Sequence, residues 1–325
     1  MVSAIVVNMN GGRMLLDCVR SLVSQSPPPD EIIVVDNASS DGSDRLVQEE
    51  FPGIRLLGQR RNTGFAEGNN IGLMESRGDL IVLVNNDCVA EKGWLVSLRE
   101  SVERDSVGAV ASCMLSMSEP GTVDAAGGSM DWLGFAWDRG KGSPVSEFLE
   151  PCELAFPCGG AVMIRRSALP DPDRLFHEGL FAYQEDVELG FQLNRRGWKV
   201  VYDPGARIRH AHSATAGSGS FFKEHLCNRN RLIVLRRQFH PGIFERLRRP
   251  ILEWQALWII ASLARGRWTL ARAVLAGTRD GLREPVSHDP EGAPLTAVFA
   301  RFAAQRSRGG PFRRYQDRAR RAMGL

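Results

Sequence analysis

The sequence contains six cysteines, at 18, 88, 113, 152, 158 and 227, yet no C-x-x-C pair among them. Closed zinc sites are built on such spacing, so no structural zinc is expected. Met1 to Asn10 is an apolar run without a basic leader or a small-residue cleavage site, and it reads as a buried strand instead of an export signal. With no signal ahead of them, the cysteines read as reduced thiols of a cytosolic protein. There is no Gly-Lys-Ser/Thr loop and no G-x-G-x-x-G after the first apolar run, which excludes a P-loop and a dinucleotide fingerprint. Internal repeats and low-complexity blocks are absent too. No apolar run approaches the roughly 20 residues that a membrane-spanning helix needs.

What is present fits a globular chain: 325 residues, 43% hydrophobic and 24% charged, enough for one large domain with an appendage or for two modest domains. The net charge of +3 hides an asymmetry. Residues 241–325 hold 16 arginines, no lysine and seven acids, a net +9, which leaves −6 for residues 1–240. A basic tail points to an anionic partner, a membrane surface or nucleic acid, unless the arginines only solvate a helix face. The most apolar stretch of the chain, Ile251 to Ala264, lies in this tail, with Trp254, Trp258 and Trp268 beside Arg265, Arg267 and Arg272. Such a segment either lies in a membrane interface or packs on the main domain.

Residues 3–8, 31–36 and 80–87 are short β-branched runs that end in polar side chains, the pattern of buried parallel strands. Helical spacing separates them, in Leu15 to Val23 and Gly64 to Ser76. Alternation of this kind predicts a doubly wound α/β sheet, with ligands at the carboxyl ends of the strands, where Asn8, Asp36 and Asp87 fall. From Val107 to Leu154 the pattern loosens into Gly, Ser and Trp, and long loops or small β excursions facing an acceptor are expected. Regularity returns with a strand at 161–164, a helix at 187–193, a strand at 200–202 and a helix at 221–238.

Five segments carry candidate chemistry. In Val35-Asp36-Asn37-Ala38-Ser39-Ser40-Asp41-Gly42, a strand runs into a turn whose carboxylates either accept hydrogen bonds from a base or ribose or cap the turn. The loop from Arg61 through Asn62, Gly64 and Phe65 to Asn69-Asn70 has glycines that allow close approach and a helix start able to present N–H groups to an anion. In Asn85-Asn86-Asp87 an apolar strand stops at a carboxylate, the kind of ligand that Mg²⁺ and Mn²⁺ share with substrate phosphates. Glu185-Asp186 precede a helix, where one can take a proton or both can serve the helix dipole. His210 and His212 share a face if the run from Asp203 is a strand, and can reach a metal or a phosphate.

Taken in this order, the segments resemble the family 2 glycosyltransferases of the GT-A fold, especially their bacterial rhamnosyltransferase-like branch. The resemblance covers roughly residues 1–240 and implies a doubly wound, mostly parallel sheet with helices on both faces, followed by a basic helical extension over 241–325. It assigns Asp36, with Asn8, Asn37 and Asp41 around it, to the nucleotide, and Asn62, Gly64, Phe65 and Asn69 to the donor. Asp87, with Asn85 and Asn86 completing a D-x-D-like motif, and His210 become ligands of Mg²⁺ or Mn²⁺. Asp186 becomes the general base beside Glu185, and Gly160, next to Gly159, shapes the pocket. Arg229-Asn230 matches a downstream family signature. The implied reaction is an inverting transfer in one displacement, from a dTDP-rhamnose donor, or a UDP- or GDP-sugar, to a cell-surface glycan or its lipid carrier. Expected partners are that donor, that acceptor and a membrane surface through residues 251–272 on the inner face of the plasma membrane, with no nucleic acid. Two other readings compete: a sugar-nucleotide pyrophosphorylase, of which Asn10-Gly11-Gly12-Arg13 is a faint echo, and a non-catalytic, membrane-recruited binding protein.

Overall fold

The computed structural model describes residues 1–211, 220–303 and 311–325. From the amino terminus the elements are β1 (Val2–Asn8), α1 (Gly12–Val23), β2 (Glu31–Asp36), α2 (Ser43–Glu50), β3 (Arg55–Gly58), α3 (Gly64–Glu75), β4 (Leu80–Asn85), β5 (Cys88–Ala90), α4 (Trp94–Val102), β6 (Val107–Ser116), β7 (Val123–Ala125), β8 (Gly128–Met130), β9 (Ala136–Asp138), β10 (Cys152–Leu154), β11 (Ala161–Arg165), α5 (Glu185–Arg195) and β12 (Lys199–His210). The helices α6 (Phe221–Gln238), α7 (Pro241–Ala264), α8 (Trp268–Arg283), α9 (Leu295–Phe302) and α10 (Pro311–Ala322) follow. His212 lies outside the described residues.

The main sheet runs β10-β12-β6-β11-β4-β1-β2-β3, with β5 on β12 and β7 on β6. The pairs β4–β1, β1–β2, β2–β3 and β6–β12 are parallel, and β11 is antiparallel to both of its neighbours. Two antiparallel steps through β11 restore the original direction, so β1, β2, β4 and β12 all end on the same edge. Side chains alternate between two cores. Val2, Ala4 and Val6 of β1 join α1 and α4 through Leu15, Val19, Trp94 and Leu98, while Ile5 joins α3 and α5 through Leu73, Leu189 and Leu193. A strand buried on both faces needs apolar residues at every position, which is why these runs are continuous instead of alternating.

The α3 glycines serve this packing. A Cβ at Gly72 would lie 2.4 Å from Ile5 Cγ2, and one at Gly68 would lie 2.9 Å from Val7 Cγ1. Their four-residue spacing puts both on the face that meets β1.

One expectation needs correction. Within 107–154, read as long loops or small β excursions, Val107–Ser116 is a ten-residue strand between β12 and β11. Its small residues, Gly108, Ala109, Ala111, Ser112 and Cys113, carry little β-branched signal, and Gly108 is small because Trp198 and Ala168 crowd it. The tail segment is part of a 24-residue helix, α7, with Pro250 inside it, yet no described helix is long and apolar enough to cross a membrane.

The chain divides into two compact units, Met1–Gly128 with Asp138–Ser213, and Ser129–Trp137 with Ala214–Leu325. Helix α6 falls in the second. Within that unit α8 packs on α6 through Gly277 and Gly281, where a Cβ would come within 2.5 Å of the His225 and Arg229 carbonyl oxygens.

Asn70 ties α3 to the segment that leads to the acidic pair. Its Oδ1 accepts from the Leu175 and Phe176 N–H groups at 3.0 Å, and its Nδ2 donates to the Phe176 carbonyl at 2.9 Å. Asn70→Ala strands two buried donors, at a cost of about 3 kcal/mol. Urea unfolding is expected to show that loss, and a variant within 0.5 kcal/mol of wild type, roughly the scatter of neutral substitutions, would deny the tie its role.

Candidate active site

The site begins at the end of β1. Asn8 is fully buried, and its Nδ2 donates to Asp36 Oδ1 at 2.8 Å, Ser43 Oγ at 2.9 Å and Ser39 Oγ at 3.0 Å. Its Oδ1 accepts from Asn86 Nδ2 at 2.8 Å and Gly11 N at 3.2 Å. One carboxamide therefore ties the ends of β1, β2 and β4 together. Asp36 turns its second oxygen to the Ser39 N–H at 3.0 Å, with Ala38 between them at φ 60°. Asp41 is exposed and accepts from Gly12 N at 2.8 Å and Ser43 Oγ at 2.7 Å, so it caps the start of α2.

Asn37 carries the donor loop. Its Nδ2 donates to the Gly64 carbonyl at 3.0 Å and its Oδ1 accepts from Thr63 Oγ1 at 2.8 Å, which brings Asn62, Gly64 and Phe65 beside Asp36. Asn62 itself is exposed, and with Arg61, Thr63, Glu67 and Phe181 it lines an open groove of about 540 Å³. Asn69 is buried and donates to the Phe65 carbonyl at 2.8 Å. The start of α3 does not offer the row of free N–H groups expected of it. Gly64 N donates to Asn62 Oδ1 and Ala66 N to the Phe181 carbonyl, so local side chain and loop already use them.

Beyond β4 the strand pairing places the next residues. β5 runs antiparallel to β12 with Cys88 opposite His210, which brings the imidazole beside Asp87. His210 Nε2 lies 3.2 Å from Asp87 Oδ1, and Nδ1 lies 2.7 Å from Asp124 Oδ2 on β7. Asp124 also meets Lys141 Nζ at 3.1 Å. Burial disfavours the charged imidazole, yet the hydrogen bonds and charges of Asp124 and Asp87 outweigh it and push the His210 pKa up to about 9. Burial likewise opposes the Asp124 carboxylate, but His210 and Lys141 hold its pKa well below the usual range.

Asp87, Cys88 and His210 offer ligand atoms within 4.8 Å of one another. Burial, aided by the Asp87 charge, drives the Cys88 thiol far above its ordinary pKa, so it is not a ready thiolate. That leaves the Asp87 carboxylate, the oxygen ligand that suits Mg²⁺ or Mn²⁺, facing His210 Nε2, which can add a nitrogen ligand only once its proton has left. Asn85, at the end of β4, gives its backbone N–H to the Gly160 carbonyl at 2.8 Å.

Gly160 is the link to the acids. Its neighbour Gly159 donates its N–H to Asp186 Oδ2 at 3.1 Å, and Val187 N donates to Oδ1 at 2.8 Å. Two adjacent glycines thus touch the end of β4 on one side and Asp186 on the other. The Cys158 thiol, next in the chain, is pushed up by desolvation and then by the charges of Asp138, Asp186 and Asp124. Burial raises both Asp186 and Glu185, and the Asp186 charge raises Glu185 further. Among the described residues Glu185 Oε2 is buried with no hydrogen-bond partner, whereas Asp186 has two N–H donors. Glu185 therefore keeps the proton and Asp186 carries the charge. Ahead of them Phe181, Tyr183 and Gln184 hold φ of 59°, 69° and 73°, a strained approach of the kind found at functional loops.

A family comparison acquires meaning on this geometry. The profile described as glycosyl transferase family 2 matches residues 3–171, from β1 past β11. The chain belongs to that family. It is a glycosyltransferase with the GT-A fold. An N-acetylglucosaminyl-diphospho-decaprenol L-rhamnosyltransferase of Mycobacterium tuberculosis is 27% identical over 246 residues, 68% of this chain and 80% of that one. The O-antigen biosynthesis protein RfbC of Myxococcus xanthus is 31% identical over 225 residues, 66% of this chain and 17% of that one. Among solved structures, GalNAc-T7 with UDP, GalNAc and Mn²⁺ shares the fold at TM-score 0.61 and 17% identity, over 77% of this chain and about half (51%) of its own. A mannosyltransferase from Pyrobaculum calidifontis with GDP-Man and Mn²⁺ does so at 0.52 and 17%, over 99% and 85%.

Asp124 and Lys141 escaped the sequence reading. The only signal was a carboxylate between Val123 and Ala125, inside a stretch too rich in Gly and Ser to read as strand. Asp124→Asn removes the charge on Nδ1, so the His210 pKa falls from about 9 toward its ordinary 6.5. Histidine NMR titration of the two proteins measures this, and an unchanged His210 titration would show that Asp124 does not govern the ring.

Proposed function

We propose that the protein is a metal-dependent, inverting transferase that moves a sugar, rhamnose favoured, from a nucleotide diphosphate to a hydroxyl of a cell-surface glycan or its lipid carrier. The observation that carries this reading is the Gly159-Gly160 bridge, which joins the strand leading to Asp87 to the carboxylate of Asp186. Catalysis by displacement needs a stabilised leaving group and a base at one carbon, and a link of two adjacent glycines between the Asp87 strand and Asp186 supports that pairing.

In this reading Asp36 and Asn37 meet the base or ribose, and Asn62, Gly64 and Phe65 run along the donor. Asp87 and His210 would hold Mg²⁺ or Mn²⁺, and such an ion, when bound, neutralises the departing diphosphate. Asp186 takes the proton of the acceptor hydroxyl as the oxygen bonds to the anomeric carbon and the bond to phosphate breaks. No covalent intermediate with the enzyme forms. Glu185 stays neutral, so it does not compete for that proton. The rhamnosyltransferase relatives support dTDP-rhamnose as donor, with UDP- and GDP-sugars behind it, and the decaprenyl-linked substrate in one relative's name supports a lipid-linked acceptor. A lipid acceptor sits at a membrane, and we assign contact with its cytoplasmic face to the basic extension over 241–325, through residues 251–272.

Asp186→Asn is expected to lower transfer by about a thousandfold or more, within the range of a general base, while isothermal titration still finds wild-type donor affinity. Wild-type turnover in that variant would remove Asp186 from the chemistry. The rate also carries a pH signature. Protonated Asp186 is inactive, and burial raises its pKa, so the acid limb of kcat/KM has its midpoint above the ordinary aspartate value of about 4. A limb centred at or below 4 would assign the proton to a solvent-exposed carboxylate instead.

A further inference from the structure

Helices α7 and α10 border an open, shallow cavity of about 440 Å³ lined by Arg246, Arg249, Pro250, Arg318, Arg321 and Ala322. Four guanidinium groups on one cavity repel each other unless an anion is near. Glu253 supplies one carboxylate, but Arg249 and Arg318 use both of its oxygens, the first at 2.9 Å. Arg246 gives Nε–H to the Ala322 carbonyl at 2.9 Å, a neutral acceptor, and neither it nor Arg321 meets an acid among the described residues. Among the described residues, Arg246 and Arg321 therefore bring two positive charges to the cavity without an acid partner.

The same helix face continues as apolar surface. Arg246, Arg249, Glu253, Leu257 and Ile260 follow at three- and four-residue intervals, which aligns them on one side of α7. Ile260 is 62% exposed, and Trp268 and Leu275 on α8 are 64% and 59% exposed. The turn between these helices carries Arg265 and Arg267, both exposed. Exposed apolar side chains beside arginines match a lipid surface, with the apolar groups entering the acyl boundary and the guanidiniums at phosphate level.

We propose that the α7–α10 cavity is a binding site for the phosphate of an anionic lipid headgroup, held by Arg246 and Arg321. Planar guanidinium forks suit phosphate oxygens. The inference rests on the membrane contact assigned above and adds a headgroup site to it. Nothing in the transfer chemistry uses these residues.

Co-sedimentation with vesicles of phosphatidylcholine alone and with added phosphatidylglycerol tests both layers. Wild type is expected to pellet with phosphatidylglycerol, and Arg246→Gln with Arg321→Gln to weaken that binding at least about tenfold, as expected for two lost charges at an anionic surface, with thermal melting unchanged. Ile260→Asn with Trp268→Ser should weaken binding to both vesicle types while keeping the preference for phosphatidylglycerol. If wild type pellets with neither vesicle, membrane contact itself falls. If it pellets and the double arginine variant binds phosphatidylglycerol equally well, the headgroup site alone falls. A third arm titrates inorganic pyrophosphate in EDTA. Saturable binding that needs Arg246 and Arg321, without any arginine-dependent vesicle binding, would make the ligand a free diphosphate and overturn the lipid assignment.

Discussion

The site depends on an imidazole held between two carboxylates. His210 reaches Asp87 with one nitrogen and Asp124 with the other, and all three groups are nearly buried. Two carboxylates at that depth would repel each other and lose their hydration, so a positive charge between them is required. The imidazolium supplies it, and any cation that binds beside Asp87 competes with that proton. The arrangement follows from strand register. Cys88 opposite His210 fixes Asp87, and the pairing of Met114 with Ala125 and Leu115 with Val123 fixes Asp124.

Around this clamp, asparagines do the structural work. Asn8, Asn37 and Asn70 each donate and accept through one short side chain, so each joins segments that lie far apart in the sequence. An aspartate in these positions could only accept, and a serine would not reach as far. The framework is consequently neutral, and the charge is left to Asp36, Asp87, Asp124 and Asp186. Backbone strain gathers in the residues before Glu185, where Phe181, Tyr183 and Gln184 take left-handed conformations, and recurs at Ala38 beside Asp36.

Much of this was legible in the chain itself. The strands β1, β2 and β4 announced themselves because burial on both faces demands unbroken apolar runs, and their polar ends marked the ligand edge. His210 and Asp186 could be named from motif order, since few constellations share five such segments. β6 was hidden, because a strand squeezed between β11 and β12 uses glycine, alanine and cysteine, which look like loop. Asp124 was hidden with it, since a three-residue strand has no period to read. The α3 glycines were visible but their partner was not: they face Ile5 and Val7 of the sheet, and only coordinates distinguish that from an approach to a ligand.

The second compact unit is discontinuous. Its Ser129–Trp137 segment, which takes in most of β8 and β9, packs within that unit. The Arg231 guanidinium lies 3.9 Å over the Phe135 ring and donates to the Leu133 carbonyl, Trp258 meets Phe135 edge-on at 5.7 Å, and Gln316 accepts from Trp132 N at 2.7 Å. No single scission separates the two units. Shortening the chain ahead of α6 would strip Trp132, Leu133 and Phe135 of the surfaces that cover them, leaving an apolar hairpin open in the middle of the catalytic sequence. The two units are thus interleaved along the chain, and neither can be cut away as one continuous segment.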